Sequence, residues 1–364
     1  MSETICSIEL ETKPDFDQCM QRLLAWYEQE IIDRPPIRFS AHNAEYTAVS
    51  TLRGRSWPNL EAKWMDAEFQ LEFFIASMAH RRFLAETFPV YWPNLGPEIF
   101  SALFGGELIF QEVTSYYRPS VMQWSDADRL QLDKENRYFK KLEEMTQLAL
   151  SLCQGKFIVG YTDLHGGVDC AAAWRDPQQF CVDLLDSPQE AKALIAKAAV
   201  EFQGVYDHFH ALLKRHNQPS VTWMGIPSFG KMHIPSCDFA ALLSTKQFDE
   251  FCLPILLDEV THMTHNIFHV DGKGVAKNLP RLLEIPQING IQYVQGVGDD
   301  QPIMQWIRDL KMIQQAGKSL VVDIALDELE PFMEAMKPEG ILLCLSAEEE
   351  LQPQIIQRVA RWRA

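Results

Sequence analysis

The chain is poor in several features that would have assigned it to a class. Its eight cysteines (Cys6, Cys19, Cys153, Cys170, Cys181, Cys237, Cys252 and Cys344) form no CxxC pair and no regular framework, which excludes a dithiol redox motif, a zinc ribbon and a disulfide scaffold. Thiols scattered in this way behave mostly as small buried apolar groups, as expected in a reducing compartment. No run of about 18 apolar residues occurs, so a membrane-spanning helix is excluded. The opening Met1-Ser2-Glu3-Thr4 is polar and acidic, unlike a secretory signal, and the expectation is a cytoplasmic protein. Basic residues number 33 against 50 acidic, a net charge of −17, with no basic cluster. A phosphate surface demands such a cluster, so nucleic acid and anionic membranes are excluded as partners. No glycine-rich dinucleotide fingerprint follows any apolar strand. No internal repeat or low-complexity linker divides residues 1–364, and a single domain is expected.

What is present is a regular alternation. Hydrophobic residues make up 47% and charged residues 23%, ordinary for a globular chain with a substantial core. Residues 13–33 read as a helix stopped by Pro35-Pro36, 60–87 as a second closed by Pro89, and 134–153 as a third ending at Gly155. Between 89 and 128 the chain is aromatic and irregular. Apolar strands are expected at 157–160, 221–224, 266–271, 290–295, 319–324 and 340–345. Helices are expected at 188–215, 245–264, 278–284, 302–316, 327–337 and 347–362. Short β-rich runs separated by amphipathic helices require parallel strands with crossover connections. The expected fold class is α/β, a (β/α)8 TIM barrel with an N-terminal helical extension over 1–36; a doubly wound sheet is the alternative.

In such a barrel, chemistry gathers where strands end. The segment Phe268-His269-Val270-Asp271-Gly272-Lys273-Gly274 is a strand running into a glycine loop. Residues two apart on a strand share a face, so His269 and Asp271 project together and are candidates to bind a metal or share a proton. Asp163 and His165 follow the strand at 157–160. His233, Ser236 and Asp238 follow the one at 221–226. Gln292 and Gln295 line the strand at 290–295, and Asp323 ends the strand at 319–324. Asp163 and Asp323 also suit helix caps, Gln292 suits a backbone partner, and His233 suits an exposed loop.

The succession Ile234-Pro235-Ser236-Cys237-Asp238-Phe239, Leu243 to Pro254, His269-Val270-Asp271-Gly272 and Gly290-Ile291-Gln292-Tyr293 resembles the uroporphyrinogen decarboxylase superfamily. It is most similar to the branch that contains corrinoid-dependent methyltransferases. The resemblance covers residues 155–362 well and the first 150 loosely. It implies a (β/α)8 barrel with its active site in a cleft at the C-terminal rim, often in a homodimer. Decarboxylases of this family hold their polycarboxylate substrate with an N-terminal arginine-rich motif. Here only Arg53 and Arg55 stand in the comparable region, so heme-pathway chemistry is not expected. The methyltransferases bind zinc through a His-x-Cys pair at a strand end and a cysteine near the last strand. His269 matches the histidine, Asp271 stands in place of the first cysteine, and Cys344 lies near the second, among leucines that also suit a core thiol. A His/Asp/Cys set is acceptable to zinc but harder than a thiolate-rich one. Any corrinoid is expected on a separate protein, because Asp163-Leu164-His165-Gly166-Gly167 departs at Val168 from the cobalamin-binding pattern.

Three functions follow. The first is a metal-assisted methyltransferase or demethylase acting on a small molecule, with Asp238 or His233 orienting the substrate beside Gln292. Asp163, His165, Ser236, Gln295 and Asp323 would then line the substrate site. The second is a metal-free decarboxylase or lyase with Asp238 or His269 exchanging protons. The third is a barrel that binds a small ligand without chemistry.

Overall fold

A computed structural model of the chain describes residues 8–40, 52, 54–79 and 81–363. Cys6 and Arg53, and His80 within the expected second helix, lie outside these.

Ten strands are present among the described residues: β1 (Ile37–Ser40), β2 (Val90–Tyr91), β3 (Leu108–Phe110), β4 (Ser115–Tyr117), β5 (Ile158–Val159), β6 (Met232–His233), β7 (His265–Asp271), β8 (Gly290–Val294), β9 (Ser319–Ile324) and β10 (Ile341–Ser346). Six form one parallel sheet in the order β1-β10-β9-β8-β7-β6. β2 and β5 form a separate parallel pair, and β3 and β4 an antiparallel hairpin within the aromatic segment. The protein is therefore α/β with an open six-stranded parallel sheet. Its crossover helices cover the outer face, as parallel strands require.

The last hundred residues follow the expected alternation closely, with Gly290–Val294, Ser319–Ile324 and Ile341–Ser346 within a residue of their expected bounds, and before them the long helix is Pro188–Arg215 as expected. Three expectations change. Residues 60–87 divide into helices Leu60–Trp64 and Ala67–Met78, because the Asp66 carboxylate accepts the Phe69 N–H and caps a new start. The helix expected from 245 to 264 is broken by a π-turn over Phe248–Cys252 before Leu253–Thr261. Residues 221–224 form no strand. Gly225, at φ 67°, closes a turn onto Thr222 O, and the sheet takes up the chain only at Met232. Burial of Val221 and Met224 accounts for their apolar character without a ladder.

The N-terminal helix Phe16–Tyr27 plugs one end of the sheet instead of standing apart. Phe16, Met20, Leu23 and Trp26 join Ile267, Val321 and Leu342 of the inner face in one buried cluster. The Trp26 indole N–H donates to Leu320 O at 3.2 Å. β1 is tied in by Glu86, whose fully buried carboxylate accepts from Arg22 (3.2 Å), Arg34 (2.7 and 3.0 Å) and the Ile37 N–H (2.8 Å). Three donors on one buried carboxylate make its removal costly, since Arg34 would be left uncompensated and Arg22 would keep only Asp33. Glu86→Ala should lower the unfolding free energy by about 3–5 kcal/mol in urea denaturation. A loss below about 1 kcal/mol, the range of surface ion pairs, would contradict this role.

Candidate metal centre and adjoining cavity

Partners across a parallel ladder stand level, and alternate residues share a face. One inner row runs His269–Gln292–Val321–Leu342. Two residues further toward the C-terminal ends, Asp271 is level with Val294, and Asp323 with Cys344 and Arg38. The register therefore brings side chains from five strands to one end of the inner face.

Asp238, His269 and Asp271 each offer a ligand atom within 4.8 Å of one another, close enough that the three could hold a metal ion. His269 is half-buried and the two carboxylates are exposed. His269 Nδ1–H donates to Gln292 Oε1 at 2.7 Å, which leaves Nε2 with its lone pair as the ligand atom. The Trp223 ring stands edge-on to the imidazole at 5.5 Å. Asp238 begins a short 3-10 turn, Asp238–Leu242, whose first two N–H groups, of Asp238 and Phe239, both donate to the Asp169 carboxylate (3.0 and 2.9 Å). Asp169 thus holds the loop that delivers Asp238.

Behind this loop lies a charged cluster. His165 Nε2–H donates to Asp163 at 2.9 Å, and Nδ1–H to Ser236 Oγ at 2.9 Å, with Asp169 at 3.9 Å. Burial disfavours the charged imidazole, but the Asp163 charge and hydrogen bond, with Asp169 and Asp238, outweigh it and push the pKa up to about 10. Burial and the neighbouring Asp238 push Asp169 up to about 6, against the opposing pull of His165 and the two N–H donors. His165, Asp169 and Asp238, with Pro97, Glu98 and Ser101 of the aromatic segment, line a cavity of about 270 Å³.

A larger cavity of about 630 Å³ opens over β1, β8, β9 and β10. Its wall repeats the strand alternation: Arg38 and Ser40, Asp323 and Ala325, Cys344 and Ser346, with Gln295. Burial raises the Asp323 carboxyl, offset by Arg38 and His269. Burial likewise pushes the Cys344 thiol up to about 11, against the pull of Arg38, so it is neutral near pH 7.

The expected residues therefore separate. Asp238, His269, Asp271 and Gln292 meet at one centre; Asp163, His165 and Ser236 form the cluster behind it; Gln295, Asp323 and Cys344 belong to the larger cavity. Cys344 is no member of the three-residue group and lies beside Arg38 in the cavity wall, on the inner face instead of the outer core. Gln295 Nε2–H donates to Gln301 O and Asp323 O, bracing that wall. His233, expected to orient substrate or lie exposed, is not exposed and stands apart from the three-residue centre. It sits within β6 and is buried, with Nε2–H donating to Glu259 at 2.8 Å and its ring against Phe202 and Tyr206 of the helix layer. The strand expected at 221–224 begins eleven residues later, at Met232, so His233 belongs to the strand and not to the loop after it. Arg55 pairs with Glu72 at 2.6 Å, away from the centre. Sequence reading passed over Arg38 and Asp169; each is a charged residue alone in an apolar element, Ile37-Arg38-Phe39 and Val168-Asp169-Cys170-Ala171, and that isolation was the available signal.

No family model matches this sequence, and no curated protein matches it either. Among solved structures it is similar to a methyltransferase from Methanosarcina mazei, at 13% identity with a TM-score of 0.57, over 90% of this chain and 92% of that one. At that identity the likeness shows a shared fold. Among the described residues no helix is long and apolar enough to cross a membrane.

Both raised pKa values make stability fall with increasing pH. The Asp169 contribution is full below the ordinary 3.8 and is lost as pH rises through about 6. That of His165 is full below the ordinary 6.5 and is lost as pH rises through about 10. The melting temperature should therefore decline from pH 6.5 to 10, with a flatter decline in His165→Gln. An NMR titration placing the His165 imidazole near its ordinary value would refute the assignment.

Proposed function

We propose that this protein is a metal-assisted methyltransferase acting on a small methylated oxygen or nitrogen compound, at the rim of a (β/α)8 barrel. The barrel reading rests on parallel strand count: the six-stranded sheet and the β2-β5 pair together supply eight. The two units are linked by Glu86 N–H to Ile37 O (2.8 Å) on one side and by the Tyr161 hydroxyl to Met232 O (2.9 Å) on the other.

The observation that carries the function is the convergence of Asp238, His269 and Asp271, with Gln292 fixing the imidazole tautomer. One nitrogen and two carboxylate donors fit zinc or a similar dication and leave further coordination open to substrate. Bound there, such an ion would supply Lewis acidity to the heteroatom that carries the methyl group. Without a thiolate the set is hard, which favours oxygen and nitrogen substrates over thiols. In the transfer, the methyl leaves without its bonding pair, which stays on the heteroatom. His165 keeps positive charge in the cavity that Asp238 also lines, and Asp169 keeps Asp238 in place. The methyl acceptor we assign to a corrinoid on a separate protein docked at the rim. The methyltransferase of similar fold supports this reading over others.

A metal-free lyase or decarboxylase is the second reading. It is favoured by Asp169, whose carboxyl exchanges a proton near pH 6 beside Asp238.

Elemental mass spectrometry of the untagged protein should find about one equivalent of zinc or a related dication, lost in His269→Ala and Asp271→Ala. Chelator should also lower the melting temperature of the wild type and leave both variants unmoved, because an ion bound only to the folded state stabilises it. Metal-free protein with no chelator shift would sink the first reading and move weight to acid–base chemistry.

A further inference from the structure

We infer that the cavity over β1, β8, β9 and β10 binds a zwitterion: a small N-methylated amino acid whose carboxylate is held by Arg38 and whose ammonium faces Asp323, Asp327 and Glu328. This deepens the methyl-transfer reading by naming its substrate class, mono- and dimethylated amino acids whose nitrogen on losing its proton has a lone pair for the metal, the trimethylated ones serving as binding probes alone; it rests on that reading only for the chemistry, not for the binding.

Among the described residues the wall carries one cationic side chain, Arg38, and three acidic ones, Asp323, Asp327 and Glu328. Arg38 has no carboxylate within 4.0 Å among the described residues. Its guanidinium donates to Met224 O, and Asp323 and Cys344 act on it. A half-buried guanidinium with donors to spare, facing a cavity, suits a carboxylate, which it can take in bidentate fashion. A simple anion would meet the three acidic groups as well, and a simple cation would meet Arg38. A molecule carrying both charges satisfies each end. The ladder separates the two ends: Arg38, Cys344 and Asp323 stand level on three successive strands, so the first and last lie about 9–10 Å apart at their Cα atoms. The neutral thiol between them adds no third charge.

The test is calorimetric titration of the full chain with trimethylglycine, N-methylglycine and trimethyl-γ-aminobutyrate, beside acetate and tetramethylammonium as single-charge probes. At least one zwitterion should bind ten times more tightly than either single-charge probe. Arg38→Met should weaken it at least tenfold, and Ala325→Trp, which fills the cavity from a position outside the metal centre, should abolish it; both variants should keep their metal content. Failure of every zwitterion to bind, or binding indifferent to both variants, overturns the inference and leaves the metal reading intact. Arg38-dependent binding by protein that holds no metal upholds it while the metal reading falls.

Discussion

The parallel ladder from β7 to β1 is the constraint on which everything else depends. Its register puts residues of neighbouring strands level, and its pleat sends every second one to the same face. His269 and Gln292 are level, so an imidazole N–H meets an amide oxygen without help from any loop. Arg38, Cys344 and Asp323 are level one row further on, so three chemically different side chains share a wall. A slip of one residue in any strand would send its member of the row into the helix layer. The buried ends of the ladder explain why it does not slip. Trp26 packs against Gly290 where a Cβ would stand 3.1 Å from the indole, and Glu86 fastens the N–H of Ile37.

Above that frame the site is assembled from loops, and electrostatics selects their positions. Asp238 arrives on a turn whose N–H groups are spent on Asp169. Asp169 and Asp163 in turn are near enough to His165 to keep it charged against its burial. The cation is held by carboxylates, and the carboxylates are tolerated because the cation is there. Asp169 still pays for its position with a raised pKa, an indication that two acids, Asp169 and Asp238, crowd one end of the cluster.

Much of the frame was legible. Strands 319–324 and 290–294, and the helix Pro188–Arg215, declare themselves through apolar runs and unbroken 3.6-residue periodicity. His269 and Asp271 could be paired from alternation alone, because the interval of two is a property of any strand. The segment 221–224 misled for the converse reason: Val221, Trp223 and Met224 are apolar because they are largely buried, and burial does not require a ladder. His233 was then read as part of the loop after that segment, whereas it lies within the strand. Asp169 was hidden for a different reason, since its partners are backbone N–H groups about 70 residues away, which leave no mark on local composition.

By itself, the sequence determined the class of fold, the order of most of its elements and the pairing of one histidine with one aspartate. These are local properties, set by periodicity and by the residues that stop helices. Only the tertiary structure decided that Asp238 stands beside that pair, that Cys344 faces a cavity with Arg38 apart from it, and that His233 turns outward to Glu259. Those outcomes depend on strand register and on contacts between residues far apart in the chain. Both are settled by the packing of whole elements against one another.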